Sequence, residues 1–399
     1  MAQRNSTLAH LKAGYLFPEI ARRRREFAAV HPGAKIISLG VGNTTEPLLP
    51  HICAALTEGA RRLGAVETYS GYMDEGLPEL RGKINEIFYQ EHFGIDEIFI
   101  SDGSKCDIGR LQWLFGPGAR PVVQDPSYPV YVDGSVIAGA AGEGIETGYQ
   151  GITYLPCTKE NGYFPDLSKI KDESLIYFCS PNNPTGAVST QRELARLVEK
   201  ARSTKSIIIF DAAYSTYIRD PSLPTTIYAI DGAEECAIEV NSFSKSAGFT
   251  GVRLGWSVVP HALRFSGGES VHADWARLQA TIFNGASNIA QFGALAALDA
   301  EGRAEITALT DFYLENARLI RTALKALGIE CTGGDNSPYV WAYFPGEQSW
   351  AAFARILETC HVITTPGSGF GPAGEGFVRF SAFGHRADIE EACGRLAKL

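Results

Sequence analysis

Six short apolar runs, each followed by a polar turn or a helical pattern, set the strongest limit on how this chain can fold. They are Glu97-Ile-Phe-Ile100, Pro121-Val-Val-Gln124, Ser174-Leu-Ile-Tyr-Phe-Cys179, Ile207-Ile-Ile-Phe210, Ala237-Ile-Glu-Val240 and Trp256-Ser-Val-Val259. Runs of this length without strict polar alternation read as strands buried on both faces, which requires helices on both sides of the sheet. Between two of them, Thr190-Gln-Arg-Glu193 forms a capping box ahead of Leu194, Leu197 and Val198 at helical spacing. The expected class is α/β, with a mostly parallel central sheet covered by helices.

A chain of 399 residues with 45% hydrophobic content exceeds the usual length of a single core. Beyond Asn284 the pattern turns helix-rich, then returns to strand-like runs at Tyr339-Val-Trp-Ala-Tyr343 and Phe377-Val-Arg379-Phe-Ser381. We therefore expect an arm and part of a small domain over 1–45, a large domain over 46–289 and a small C-terminal domain over 290–399.

A net charge of -9 argues against nucleic acid or an anionic membrane as main partner and favours a small polar substrate. The run Arg22 to Arg25 reads as a solvated helix face. Eight cysteines stand singly without a Cys-x-x-Cys pair, so neither a disulfide framework nor a metal site is expected. No apolar run reaches the length of a membrane helix, and a cytoplasmic protein with reduced thiols is expected.

The chemistry gathers where the runs end, as it does in open α/β sheets, whose ligands lie beyond the carboxyl ends of the strands. Ser242-Phe-Ser244-Lys245 is followed by a glycine-containing turn and Arg253. An amine at a strand end can condense with an aldehyde, while hydroxyls and an arginine fork can hold a phosphate, which together suit a Schiff-base cofactor with a phosphate anchor. Asp211 can face a protonated pyridine nitrogen, and Asn183 and Tyr214 can bond a ring oxygen. The segment Gly103-Ser104-Lys105 couples a strand end to a helix start, where backbone amides meet phosphate readily. Tyr128 can stack on a flat ring.

In this order the motifs resemble the fold-type I pyridoxal-phosphate aminotransferases. The resemblance implies Lys245 as the Schiff-base lysine, Asp211 at the pyridine nitrogen, and Tyr214 and Asn183 at the ring oxygen. It also implies Ser104, Ser242, Ser244 and Arg253 at the phosphate of pyridoxal 5'-phosphate, with Lys105 and Tyr128 beside the cofactor. Arg379, in Gly376-Phe-Val-Arg379, is similar to the family's arginine for the α-carboxylate. Tyr72 matches a tyrosine that reaches the partner subunit's phosphate, which implies a homodimer with shared sites.

Closer similarity extends over nearly the whole chain. Gly14-Tyr15-Leu-Phe17, Leu39-Gly-Val-Gly42-Asn-Thr-Thr45, Ile100-Ser-Asp-Gly-Ser-Lys105, Asp125-Pro-Ser-Tyr128, Phe210-Asp-Ala-Ala-Tyr214, Asn241-Ser-Phe-Ser-Lys245 and Phe283-Asn284-Gly-Ala-Ser287 resemble the LL-diaminopimelate aminotransferase family. Its members interconvert tetrahydrodipicolinate plus glutamate with LL-diaminopimelate plus 2-oxoglutarate, in the biosynthesis of lysine and peptidoglycan precursors. The resemblance places Tyr15, Gly42, Lys105, Tyr128, Asn183 and Asn284 against substrate, with Glu75 available for the distal ammonium. One departure stands out: only Met73-Asp74-Glu75 separates Tyr72 from Gly76, one residue fewer than is usual in the family. The shortened loop leaves Asp74 as a second candidate for the distal amine. An aminotransferase of broader specificity, for aromatic or lysine-like amino acids, and a pyridoxal-phosphate lyase are the alternative readings.

Overall fold

The computed structural model describes residues 2–12 and 16–399. Each of the six apolar runs forms a strand of one seven-stranded sheet, with Thr153–Pro156 as the seventh. Across the sheet the order is Ile98–Ser101, Gly255–Val258, Ala237–Ser242, Ile207–Asp211, Leu175–Cys179, Pro121–Asp125 and Thr153–Pro156. All neighbours run parallel except at Gly255–Val258, which is antiparallel to both of its partners.

Burial on both faces explains why these strands read as continuous apolar runs. Ile176, Phe178, Ile208 and Phe210 pack with Leu194, Leu197 and Val198 of the helix Gln191–Ser203. The alternate residues Tyr177, Cys179 and Ile209 point to the other face, where they join a cluster with Ile108, Leu111 and Trp275. At roughly 1.5–3 kcal/mol for each large apolar side chain removed from water, these two clusters supply the main drive for assembling the sheet. The expected capping box is present, with Thr190 Oγ1 accepting from the Glu193 N–H at 3.3 Å and Glu193 Oε2 accepting from the Thr190 N–H at 2.8 Å.

A second, four-stranded antiparallel sheet runs Cys331–Gly333, Tyr339–Tyr343, Phe377–Ser381, Thr365–Pro366. Chain segments far apart in sequence meet here. Ile37–Ser38 pairs in parallel with Val362–Ile363, and the Ser381 N–H bonds the Leu39 carbonyl at 2.7 Å. The helix Ala300–Ala326 ties the two sheets together, because Leu309 and Tyr313 enter the core of the large sheet while Ala317, Ile320 and Leu324 enter that of the small one.

Arg22 and Arg23 lie on the helix Leu16–Val30 and pair with Glu19, as a solvated helix face should. Glu97 closes a 3-10 turn instead of opening the strand, because its carboxylate caps the Gly94 N–H at 2.7 Å and the His261 N–H at 2.6 Å. Among the described residues no helix is long and apolar enough to cross a membrane. The cluster Asp96, His261 and His272 is held by its own hydrogen bonds, from His261 Nε2 to the Asp96 carboxylate at 2.8 Å and from His272 Nε2 to the Asp96 carbonyl at 2.9 Å.

Candidate active site

A cavity of about 400 Å³ opens at the carboxyl ends of the central strands. Ser104, Lys105, Tyr128, Asn183, Asp211, Tyr214, Ser242, Ser244, Lys245, Arg253 and Gly42 all line it. These eleven positions, spread over more than 200 residues of sequence, converge because five parallel strands end, and the helix Ser104–Phe115 begins, at the same place.

Lys245 follows the strand Ala237–Ser242 on a single helical turn, Phe243–Ser246, capped by the Ser242 side chain. Its Nζ donates to the Gly42 carbonyl, and its own carbonyl accepts from the Tyr217 hydroxyl at 2.8 Å. Desolvation, followed by the charges of Arg379 and Arg253, lowers the Lys245 amine to about 7. An amine so placed is substantially neutral near pH 7 and can act as nucleophile or base.

Asp211 ends the strand beside it and is buried. Its carboxylate accepts from the Tyr131 hydroxyl at 2.7 Å and from the Ala213 N–H at 3.1 Å. Burial raises its pKa, since no cation stands opposite it; a cationic ring nitrogen in the cavity would favour the ionised form. Among the described residues Asp211 is the only carboxylate in the cavity lining, against three cationic side chains. The Tyr214 hydroxyl is within 2.9 Å of the Tyr339 hydroxyl, and burial pushes its pKa upward.

At the opposite end, Arg253 Nη1 donates to Ser244 Oγ at 3.0 Å and to the Thr250 carbonyl at 3.2 Å. Gly103, with φ of +122°, lets the backbone pass close to this guanidinium, since a Cβ there would lie 2.7 Å from Arg253 Nη2. The hydroxyls of Ser104, Ser242 and Ser244, the start of a twelve-residue helix and Arg253 together form a receptacle for a dianionic phosphate.

Arg379 approaches from the small sheet. Its Nη1 donates to Asn183 Oδ1 at 2.6 Å, and its Nη2 to the Gly40 carbonyl at 2.6 Å. It is buried between the Tyr339 and Phe370 rings, and Nε has no partner among the described residues. Lys245, Arg253 and Arg379 are thus hydrogen-bonded, among the described residues, to neutral acceptors alone. Arg379 is buried and the other two are partly so, and cations withdrawn from water without carboxylate partners call for an anionic ligand.

Arg379 reaches the lining residue Asn183 without lining the cavity itself, and three further expected residues lie elsewhere. Tyr72 and Asn284 are exposed, and Glu75 is half-buried with its carboxylate 2.8 Å from Arg81 Nη1. They sit on two loops that touch each other: Asn288 Nδ2 donates to Ser70 Oγ and to the Gly71 carbonyl, both at 2.9 Å. The shortened loop closes as a turn, with the Gly76 N–H bonding the Met73 carbonyl at 3.0 Å. Tyr15 lies outside the described residues.

Sequence reasoning missed Tyr131, Tyr339 and Cys179, of which Tyr131 and Cys179 line the cavity. A signal existed for Tyr131, since it follows Tyr128 by three residues and so lies one helical turn away; the rings meet edge to face at 5.8 Å. Tyr339 gave none, because it belongs to a strand of the other sheet.

Comparison with known proteins agrees with this geometry. Residues 34–396 match the family model for aminotransferase class I and II. The chain is 51% identical over 399 residues to the LL-diaminopimelate aminotransferase of Protochlamydia amoebophila (strain UWE25), covering 99% of this chain and 97% of that protein. It is 52% identical to the chloroplastic LL-diaminopimelate aminotransferase of Arabidopsis thaliana, covering 99% of this chain and 87% of that protein. The solved structure of L,L-diaminopimelate aminotransferase from Chlamydomonas reinhardtii superposes with a TM-score of 0.96 at 55% identity, covering 99% of this chain and 98% of that one. By a family model that spans most of its length and by relatives about half identical over nearly all of it, the chain belongs to the class I and II aminotransferases, in the family of the LL-diaminopimelate enzymes.

Proposed function

We propose that this protein is a pyridoxal-phosphate aminotransferase that exchanges the amino group between LL-diaminopimelate and 2-oxoglutarate, forming tetrahydrodipicolinate and glutamate, and runs the reverse reaction. The observation that carries the reading is the cavity itself, in which a desolvated lysine, one buried aspartate and Arg253 surround a space of about 400 Å³, with Arg379 bonded to the lining residue Asn183. The residues fit the cofactor: Ser104, Ser242, Ser244 and Arg253 would hold its phosphate, Asp211 its ring nitrogen, and Asn183 and Tyr214 its ring oxygen. When bound, pyridoxal phosphate supplies an electrophilic carbonyl for the substrate amine and an electron-withdrawing ring for the charge left at Cα.

The chain's own groups do the rest. Arg379, locked by Asn183 and Gly40, presents its guanidinium to the substrate α-carboxylate and so fixes which Cα bond faces the lysine. Lys245 Nζ, with its pKa near 7, takes the proton from Cα and returns it on the other side of the exchange. Asp211 keeps the ring nitrogen protonated, and Tyr131 holds that carboxylate in place.

We read the active unit as a homodimer. Tyr72, Glu75 and Asn284 share one surface outside their own chain's cavity, which suits residues offered to the site of a second copy, where they would meet the cofactor phosphate and the distal end of the substrate. The pairing of Glu75 with Arg81 leaves exposed Asp74 as an alternative for the distal ammonium. Eight unpaired cysteines fit a reducing compartment such as the cytoplasm.

The experiment is a half-reaction, in which protein loaded with cofactor is mixed with LL- or meso-diaminopimelate without oxo acid and the visible absorbance is followed. Conversion by the LL isomer alone is expected. Conversion only by aromatic or other amino acids would favour the broader aminotransferase, and ammonia release without any oxo acid would favour a lyase.

A further inference from the structure

Asp107 is a fully buried carboxylate one turn into the helix Ser104–Phe115, and it lines no part of the cavity. Such a group is costly unless its oxygens are engaged, and both of them are. Oδ2 accepts from the Ser101 hydroxyl at 2.6 Å, while Oδ1 accepts from Arg110 Nη1 at 3.2 Å and from Gln279 Nε2 at 3.5 Å. Ser101 and Arg110 lead back to the turn joining the strand Ile98–Ser101 to this helix. Ser101 Oγ accepts the Gly103 N–H at 3.2 Å, and Arg110 Nη2 donates to Asp102 Oδ1 at 2.8 Å. Ser101, Asp102 and Gly103 are therefore all tied, directly or through one intermediary, to a single carboxylate.

The other side of the turn is walled. A Cβ at Gly103 would meet Arg253 Nη2 at 2.7 Å, and one at Gly255 would meet the Gly103 Cα at 2.8 Å and the Ser104 nitrogen at 3.1 Å. The Gly103–Ser104 backbone is thus pressed between Arg253 and Gly255 on one side and held by Ser101 on the other. An acid in the first turn of a helix commonly serves the helix dipole alone. Here its oxygens face Ser101 and Arg110, which bond the turn, and Gln279 of the helix Val271–Ile282.

We propose that Asp107 is a positioning residue for the cofactor phosphate, fixing through Ser101 and Arg110 the Gly103–Ser104 backbone on which that phosphate lands. The proposal rests on the cofactor reading given above and concerns residues outside the cavity. It makes a separable claim, because a defect in this turn weakens the hold on phosphate and leaves the ring and the lysine untouched.

The test compares binding of pyridoxal 5'-phosphate with binding of pyridoxal, which lacks the phosphate, to cofactor-stripped full-length protein, read by absorbance titration. The variants are Ser101→Ala, Asp107→Asn and the double variant. Ser101→Ala removes only one hydroxyl, so the comparison survives should Asp107→Asn fold poorly. Each single variant is expected to lower the preference for the phosphorylated compound about threefold to tenfold, the range of one lost hydrogen bond. Because the two residues act in series, the double variant should lose little more than the worse single one. General damage to the fold would weaken both compounds alike. An unchanged preference in a folded single variant, or fully additive losses, overturns the proposal while leaving the cofactor reading intact. A wild-type protein that binds neither compound overturns both.

Discussion

Asn183 accepts a 2.6 Å hydrogen bond from Arg379, joining the loop after a central strand of the large sheet to a strand of the small one. One contact thereby couples the ring-oxygen ligand to the residue assigned to the substrate carboxylate. Arg379→Lys keeps the charge but cannot hold Asn183, Gly40 and a carboxylate in one plane. We expect kcat/KM for the amino-acid half-reaction to fall by about a hundredfold, a loss of roughly 3 kcal/mol, with KM carrying much of it. Steady-state kinetics checks this, and a KM near the wild-type value would remove Arg379 from the carboxylate.

Asp211 and Tyr131 form the other pair in the cavity, 2.7 Å apart, on the side we assign to the cofactor ring. Asp211→Asn leaves the shape and removes the charge that, on our proposal, would keep the ring nitrogen protonated. The half-reaction should slow by at least about a hundredfold while cofactor still binds, since the phosphate receptacle is separate. Tyr131→Phe should show a smaller loss in the same direction, of about fivefold to tenfold. Rapid-mixing absorbance measures both, and a near-normal rate for Asp211→Asn would dismiss its assigned role.

Sequence periodicity disclosed six strands of the large sheet because those six are buried on both faces, so Ile207–Asp211 is a continuous apolar run that stops at its functional residue, whereas the partly exposed edge strand Thr153–Pro156 carries no such run. The site residues at strand ends were legible for the same reason. Tyr339 was not, because its contact with Tyr214 depends on how the small sheet packs over the large one, and no local pattern records that. Glu75 was legible as a charge near the site, but not as the partner of Arg81, which lies on the following helix Pro78–Tyr89. The hub at Asp107 also escaped notice, since an acid in a first helical turn has an ordinary local explanation.

The separation of Tyr72, Glu75 and Asn284 from their own cavity predicts complementation between inactive chains. Lys245→Ala lacks the amine but retains the exported loops, while Asn284→Ala together with Tyr72→Phe retains the amine and lacks the loops. Mixed under conditions that allow exchange, the two should form heterodimers with one intact site, recovering up to about a quarter of wild-type activity if pairing is random. Recovery no greater than the sum of the separate proteins would mean that each chain completes its own site.

Lys245 makes the cofactor-free protein sensitive to pH in a direction that can be worked out. Its amine is lowered to about 7 from an ordinary value of 10.5, so between these limits the unfolded chain binds the proton that the folded chain has released. Stability then rises with pH through that window, and below about pH 7 the whole cost of burying the ammonium opposes folding. Lys245→Met removes the group and keeps most of the volume. The cofactor-free variant should melt several degrees above the cofactor-free wild type at pH 6, a shift consistent with a few kcal/mol, and the gap should close steadily towards pH 10. Thermal unfolding of both proteins across this range decides the matter. A gap that stays constant with pH would mean that the amine is neutral or well solvated throughout, and Lys245 would then lack the lowered basicity on which its role as the proton carrier depends.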